Sequence, residues 1–228
     1  MDVQQRINSV AAWRHRIEVA PGVVTPGHED TAEEWRRLRV PSDLSGKRVL
    51  DVGCSDGFYS FACEQLGAEV TAIDDESSLL AGGLNGFQVA QELLGSRVEY
   101  RTADVHALPE SLGTFDLILF INVLYHLRNP LLALDELAAA AKPGARLILK
   151  TYFRQDVRFW VKGRPVAFDI SRSPKWWFFP NSELAGDPTN WFAPNKAALL
   201  GALEVCGWEP QGAPQIHGDR LYIHALRR

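Results

Sequence analysis

From Lys47 onward, short apolar runs alternate with amphipathic stretches, the pattern of strands and crossover helices in a mostly parallel sheet. Apolar runs predict strands at 47–52, 69–74, 97–101, 115–120 and 146–151. Positions of helical period predict helices at 58–66, roughly 78–93 and 131–141, the last stopped by Lys142-Pro143-Gly144. The run Leu117-Ile118-Leu119-Phe120-Ile121 is apolar on both faces, which places it at the centre of the sheet. Before Lys47, Gln4 to Ile17 reads as a helix, and Pro21-Gly22 and Pro26-Gly27 read as turns. Thr31 to Leu38 reads as a short helix capped by Asp30 or Thr31. At the far end Asn195 caps a helix from about 196 to 206, and strands follow near 208–210 and 220–226.

The alternation breaks between 152 and 195. That stretch holds four of the seven tryptophans, Trp160, Trp176, Trp177 and Trp191, with prolines at 165, 174, 180, 188 and 194. It is too long for an ordinary connection and reads as a cap inserted after the fifth core strand. The expected fold is therefore α/β: a Rossmann-like, doubly wound, mostly parallel seven-stranded sheet with an N-terminal helical segment and an aromatic-rich cap. It is expected as one domain over 1–228, divided into an N-terminal segment (1–46), a nucleotide-binding core (47–151), the cap (152–195) and the last helix and strands (196–228).

Composition is that of an ordinary globular protein, and the formal net charge of −4 lacks the basic excess of a nucleic-acid footprint. Cys54, Cys63 and Cys206 lack metal-ligand spacing and read as reduced thiols. The sequence shows no run of membrane-spanning length and no signal-peptide core, so a cytoplasmic location without a membrane partner is expected. No metal is expected. His28-Glu29-Asp30 contains ligand types but reads as a solvated turn.

The candidate chemistry begins where the first core strand enters Asp51-Val52-Gly53-Cys54-Ser55-Asp56-Gly57. A glycine-rich turn between strand and helix, with Asp74 ending the next strand, is a nucleotide-binding β-α-β unit with an acid for a ribose diol. A pyrophosphate loop needs a middle glycine, and here Cys54, Ser55 and Asp56 intervene. Asp51 and Asp56 would repel a diphosphate but suit an amine and a sulfonium, the groups of S-adenosylmethionine (SAM). Gly53 and Gly57 permit close backbone approach. Asp104, with Val105, follows the third core strand where an acid can accept from the adenine amine, and Asn122 follows the fourth.

Leu50-Asp51-Val52-Gly53-Cys54 resembles the first motif of the class I SAM-dependent methyltransferases, and the resemblance covers most of the chain. More narrowly, the chain resembles the branch that includes the bacterial tRNA wobble-uridine carboxymethyltransferase. Trp13-Arg14-His15-Arg16-Ile17, Gly22-Val23-Val24-Thr25-Pro26-Gly27, Val123 to Pro130 and Asp187 to Asn195 carry this likeness. The tRNA enzyme holds the extra carboxylate of a carboxylated SAM with a lysine, a tyrosine and an arginine. Tyr125 and Arg220 match the last two, while the lysine position holds His15, a poorer permanent cation. The chain also lacks that enzyme's long N-terminal extension. Both departures favour ordinary SAM and simple methyl transfer.

Methyl transfer needs in-line alignment, exclusion of water and, for a hydroxyl or protonated amine, a base. The candidate bases are His126, just past the fourth core strand, and His15 or His28 from the N-terminal segment. Tyr125 is placed to orient the acceptor or to line the cofactor's methyl end. Asn190, Trp191, Asn195, Trp177, Tyr152 and Arg220 are candidate acceptor contacts. The favoured acceptor is an oxygen or nitrogen of a small metabolite under the cap. A tRNA acceptor is the second reading: the segment 151–195 holds six Arg and Lys against four Asp and Glu, thin support for phosphate binding. A non-catalytic SAM-binding module is the third.

Overall fold

The first core strand, β3 (Arg48–Val52), is buried along almost its whole length, as a strand in the middle of a sheet covered on both faces must be. The structure, a computed structural model, describes residues 2–75, 83–154, 156–169 and 173–228. Seven strands form the main sheet in the order β12-β13-β7-β6-β3-β4-β5. Here β4 is Glu69–Asp74, β5 Glu99–Thr102, β6 Phe115–Ile121, β7 Ala141–Tyr152, β12 Trp208–His217 and β13 Arg220–Arg227. The chain steps outward from β3 to β4 and β5, then returns to place β6 on the other side of β3. Such a reversal in strand order is where open α/β sheets bind ligands, at the carboxyl ends of the strands. The pairs β3–β4 and β4–β5 are parallel; β13 is antiparallel to both β7 and β12.

The fold comprises two compact units, one running to Leu119 and the other starting at Phe120. In the first, α1 (Val3–Asn8) is held by a capping box between Asp2 and Gln5. A small hairpin of β1 (Glu18–Ala20) and β2 (Val23–Val24) turns at Pro21-Gly22, and α2 (Thr31–Leu38) is capped by the Asp30 carboxylate on the Glu33 N–H. Helices α3 (Phe58–Gln65) and α4 (Gly83–Leu94) follow β3 and β4. The expected start of α4, before Gly83, lies outside the described residues.

The N-terminal helix is shorter than Gln4 to Ile17. It stops at Asn8, and the chain then runs extended because its backbone groups find partners elsewhere. Arg14 and His15 donate their N–H groups to Asp56, Ile17 donates to the Thr25 hydroxyl, and the Arg14 carbonyl accepts from Glu29. Gly27 lies against this strand so closely that a Cβ there would sit 2.1 Å from the His15 carbonyl carbon.

In the second unit, α5 (Pro130–Ala139) starts with proline in its first turn, and α6 (Lys196–Val205) is capped by Asn195. Leu134 of α5 accepts from the indole of fully buried Trp208 on β12. Strand β7 begins at Ala141, before Lys142-Pro143-Gly144, and its pairing with β13 starts at Arg146. Strand β12 extends to His217, well past the expected 208–210, because β13 supplies a partner from Trp208 to His217 with a bulge between Gln211 and Gln215. Between β7 and α6 lie two antiparallel pairs, β8 (Asp156–Val161) with β9 (Arg164–Asp169) and β10 (Trp176–Phe178) with β11 (Phe192–Pro194). No helix among the described residues is long and apolar enough to cross a membrane.

Candidate active site

The first unit builds its site from a turn. β3 leads into Gly53 (φ 71°), Ser55 (φ 50°) and Gly57 (φ 89°). A Cβ on Gly57 would lie 2.6–2.7 Å from ring carbons of Phe61 and Phe87, so glycine is required by both conformation and space. The N–H groups of Gly53 and Cys54 donate to the Ile73 carbonyl at 2.8 and 3.1 Å, which ties the turn to the end of β4. Asp74 ends that strand. Its Oδ2 accepts from the Ser55 N–H at 2.8 Å and its Oδ1 from the Asp75 N–H at 3.0 Å, so its orientation is set from the backbone.

Asp51 is buried and accepts from the Ser60 hydroxyl at 2.6 Å. Burial pushes its carboxyl up to about 7, against the lowering effect of that hydrogen bond. Asp56, which shares the loop, is committed to the N-terminal segment. Its Oδ2 accepts from the Arg14 and His15 N–H groups at 2.7 and 2.8 Å, and its Oδ1 from the Ser55 hydroxyl at 2.7 Å. Asp104 follows β5 with its side chain 64% exposed, held by the His106 N–H and ring Nδ1 at 2.9 and 2.8 Å. The bond from the His106 N–H leads in holding its pKa below the ordinary value. Val105 is buried beside it in sequence.

His15 is buried edge-on against Tyr59, with ring centroids 5.2 Å apart. Its Nε2 lies 3.9 Å from Glu29 Oε2, and its buried Nδ1 has no partner. Desolvation lowers its pKa despite the attraction of Asp56 and Glu29, which favours the neutral imidazole. His28 is exposed.

The second unit builds its site from side chains. Asn122 ends β6 in a left-handed conformation (φ 61°), with its N–H on the Lys150 carbonyl at 3.0 Å and its buried Oδ1 without a partner. Tyr125 and Tyr152 meet edge to face at 4.6 Å and pack with Phe179, Ala193 and Trp177. The Arg220 guanidinium caps this cluster, 3.2 Å over the Tyr152 ring and 5.8 Å over that of Tyr125, and pairs with Asp219 at 3.0 Å. Two of the residues that sequence likeness grouped, Tyr125 and Arg220, are thus brought together.

His126 Nδ1 lies 3.0 Å from both the carbonyl and the hydroxyl of Thr189, and that hydroxyl donates to Asp187 at 2.7 Å. Trp191 donates its N–H to the Tyr125 carbonyl at 2.7 Å, stacks on Phe178 and lies under the Arg128 guanidinium. Asn190 is buried, with its amide N–H on the Leu184 carbonyl and its Oδ1 unpartnered. Asn195 is fully buried and occupied as a cap: its Oδ1 accepts from Ala198 and Lys175, and its Nδ2 donates to Ser173. That placement gives it a structural role in place of an acceptor contact.

Sequence reasoning did not pick out Ser55, Ser60, Asp187 or Thr189. Ser55 and Ser60 sit close in sequence to carboxylates already noticed. Asp187 and Thr189 carry the Asp-x-Thr spacing of a side-chain-closed turn, in which Asp187 also accepts the Thr189 N–H. Among the described residues, no group of three or more His, Cys, Asp or Glu is gathered as a metal cluster.

Comparison with known proteins adds a family description, methyltransferase domain, whose model matches residues 50–149. The tRNA U34 carboxymethyltransferase of Citrifermentans bemidjiense is 32% identical over 178 residues, covering 77% of this chain and 49% of that protein. The ubiquinone biosynthesis O-methyltransferase of Xanthomonas oryzae pv. oryzae (strain PXO99A) is 33% identical over 158 residues, covering 68% and 64%. The matched stretch therefore spans about half of the first relative and under two thirds of the second. Among solved structures, the N-terminal domain of EvdMO1 with SAH bound superposes with a TM-score of 0.65 at 22% identity, over 100% of this chain and 97% of that one. A SAM-dependent methyltransferase from Mesorhizobium loti also gives 0.65, at 19% identity, over 87% and 99%. At those identities the likeness is one of fold.

Proposed function

We infer the function from one premise: the chain belongs to the class I SAM-dependent methyltransferases. From it we propose that the protein methylates an oxygen or nitrogen of a small molecule, with ordinary SAM as donor. The observation that carries the proposal is the Tyr125–Tyr152 cluster with the Arg220 guanidinium over it: aromatic rings packed beside a cation suit a compact, partly apolar acceptor. The neutral, buried His15 supports ordinary SAM, since no permanent cation stands where the tRNA enzyme's pattern has its lysine.

The residues present fit the cofactor. Asp74 offers a carboxylate pre-oriented by Ser55 for a ribose diol, and Gly53 keeps a turn without a side chain at the strand end. In the second unit, Asn122 carries a buried acceptor without a partner, of the kind an ammonium satisfies. Asp104 stands after β5 for the adenine amine. The bound cofactor supplies an electrophilic methyl on a sulfonium. The chain's own contribution is to bind and align, an effect worth roughly 7–11 kcal/mol when complete, and to take up a proton.

His126 is the base in this reading. Thr189 hydroxyl donates to Asp187, so its oxygen, like the Thr189 carbonyl, accepts from Nδ1–H. The neutral ring then carries its basic lone pair on Nε2. Tyr125, adjacent in sequence with ring centroids 4.3 Å apart, limits the ring's movement.

The competing acceptor is tRNA, which draws on the likeness to a tRNA U34 carboxymethyltransferase and on the pairing of Arg220 with Tyr125. One experiment separates the two. Incubating the protein with isotope-labelled SAM and cell extract should place label in the small-molecule fraction, and His126→Asn should slow that transfer by about 10²–10⁴ while leaving SAM affinity nearly unchanged. Label confined to tRNA would overturn the small-molecule acceptor, and an unaffected rate would remove His126 from the mechanism.

A further inference from the structure

Asp56 is 2% exposed and takes donors from two distant parts of the chain, the Arg14 and His15 N–H groups and the Ser55 hydroxyl. Ser55 in turn donates its own N–H to Asp74. One residue therefore bridges the carboxylate that holds the N-terminal segment and the carboxylate assigned to the cofactor's ribose.

We propose that Ser55 and Asp56 are positioning residues that couple the N-terminal segment to Asp74, so that engaging the ribose and ordering residues 14–29 reinforce each other. The proposal rests on the ribose assignment of Asp74. Ser55 holds a left-handed conformation without being glycine, a state that persists only where neighbours enforce it. Its two hydrogen bonds, one to each carboxylate, are the enforcement. Loss of the Asp56 bond releases Ser55, and with it the N–H that aims Asp74.

The N-terminal side passes on such a shift as a body. Arg14 is bound to Glu29 through both its carbonyl and its side chain, the His15 carbonyl accepts from the Thr25 hydroxyl at 2.7 Å, and Gly27 is packed against His15 with no room for a Cβ. Movement at Asp56 is therefore shared by the whole segment. The His15–Asp56 bond is buried and those of Arg14, Ser55 and Asp74 are partly so, which strengthens them and makes a half-broken arrangement unfavourable. A latch without coupling would not require the residue next to Asp56 to adopt positive φ and point its N–H at Asp74.

The test is a double-mutant cycle read by calorimetry of S-adenosylhomocysteine binding to the full chain. Asp74→Ala should weaken binding roughly tenfold to a hundredfold, the range for losing a hydrogen bond to a charged group. Asp56→Ala should weaken it by about fivefold or more in the otherwise unchanged protein, and by under about twofold once Asp74 is gone. Asp56→Asn keeps an oxygen for Arg14 and His15 and should stay within about threefold of the parent. Equal losses from Asp56→Ala in both backgrounds would overturn the coupling. An Asp74→Ala protein that binds like the parent would instead remove the ribose assignment.

If Asp56→Ala fails to fold, hydrogen exchange at the Arg14 and His15 amides decides. Adenosine, which has the ribose but no methionine end, should slow their exchange in the parent and not in Ser55→Ala. Absence of protection in the parent, or equal protection in both proteins, would overturn the proposal.

Discussion

Between Asp51 and Ser60, the first unit's loop gathers buried carboxylates bonded to neighbouring hydroxyls, two glycines at positive φ and one strained serine within a short stretch of chain. The second unit's cluster draws Tyr125, Tyr152, Phe179, Trp191 and Arg220 from strands and loops far apart in sequence and joins them through ring faces and backbone contacts. Backbone groups and buried carboxylates dominate the first; aromatic packing with a partly exposed cation dominates the second. Hydrogen-bonded turns tolerate little change, because every buried donor or acceptor must keep a partner. Aromatic clusters trade partners more cheaply, since dispersion contacts are many and individually small. The proposed function assigns the donor to the first kind of construction and the acceptor to the second.

The sharpest way to break this contrast is to substitute within the loop. Gly57→Ala adds a Cβ into the rings of Phe61 and Phe87 at φ 89° and should cost roughly 2–5 kcal/mol of stability, measured by chemical denaturation. A loss under about 1 kcal/mol would mean that the turn is as adaptable as the cluster, and the contrast would fail.

The same contrast predicts a pH dependence. The Asp51 carboxyl, pushed up to about 7 by burial, holds its proton in the folded state across a range where the unfolded chain, with the ordinary value of 3.8, has released it. Stability from this group is fully present below about 4 and is lost as pH rises towards about 7. Asp51→Asn, whose amide oxygen can still accept from Ser60, does not titrate. It should be roughly 2–4 kcal/mol more stable than the parent above pH 7 and similar to it near pH 4. Thermal melts across that range give the measurement, and parallel pH profiles for the two proteins would show that Asp51 is not the titrating group.

Legibility in the sequence follows the same division. The loop, Asp74 and the succession of core strands and helices could be read because their determinants are local: spacing between glycines, an acid at a strand end, apolar runs of fixed length. The Asn195 cap was legible for the same reason. The N-terminal strand was misread as helix because its hydrogen-bond partners, Asp56 and Thr25, are remote and carry no local signal in residues 4–17. The extent of β12 was underestimated because Pro210, Gly212 and Pro214 break the local pattern, while β13 supplies pairing from across the sheet. In the cluster, Tyr125 and Arg220 came together through family likeness, but the Asp187–Thr189–His126 chain forms only through the fold.

Arg220 gives the smallest and most discriminating effect. Its guanidinium lies over Tyr152 and Tyr125 and pairs with Asp219, and its side chain is 23% exposed, so water can replace much of what it gives up. Replacing it with leucine removes the cation but keeps an apolar side chain against the rings, and the stability loss should be about 1 kcal/mol or less, as for partly solvated cation–π contacts. The affinity for S-adenosylhomocysteine should change little, whereas the KM for an acceptor found by the labelling experiment should rise. A stability loss matching that of Gly57→Ala would make Arg220 a structural keystone of the second unit. The cluster would then be as intolerant of change as the loop, and the proposed separation between a fixed donor site and an adaptable acceptor site would have to be given up.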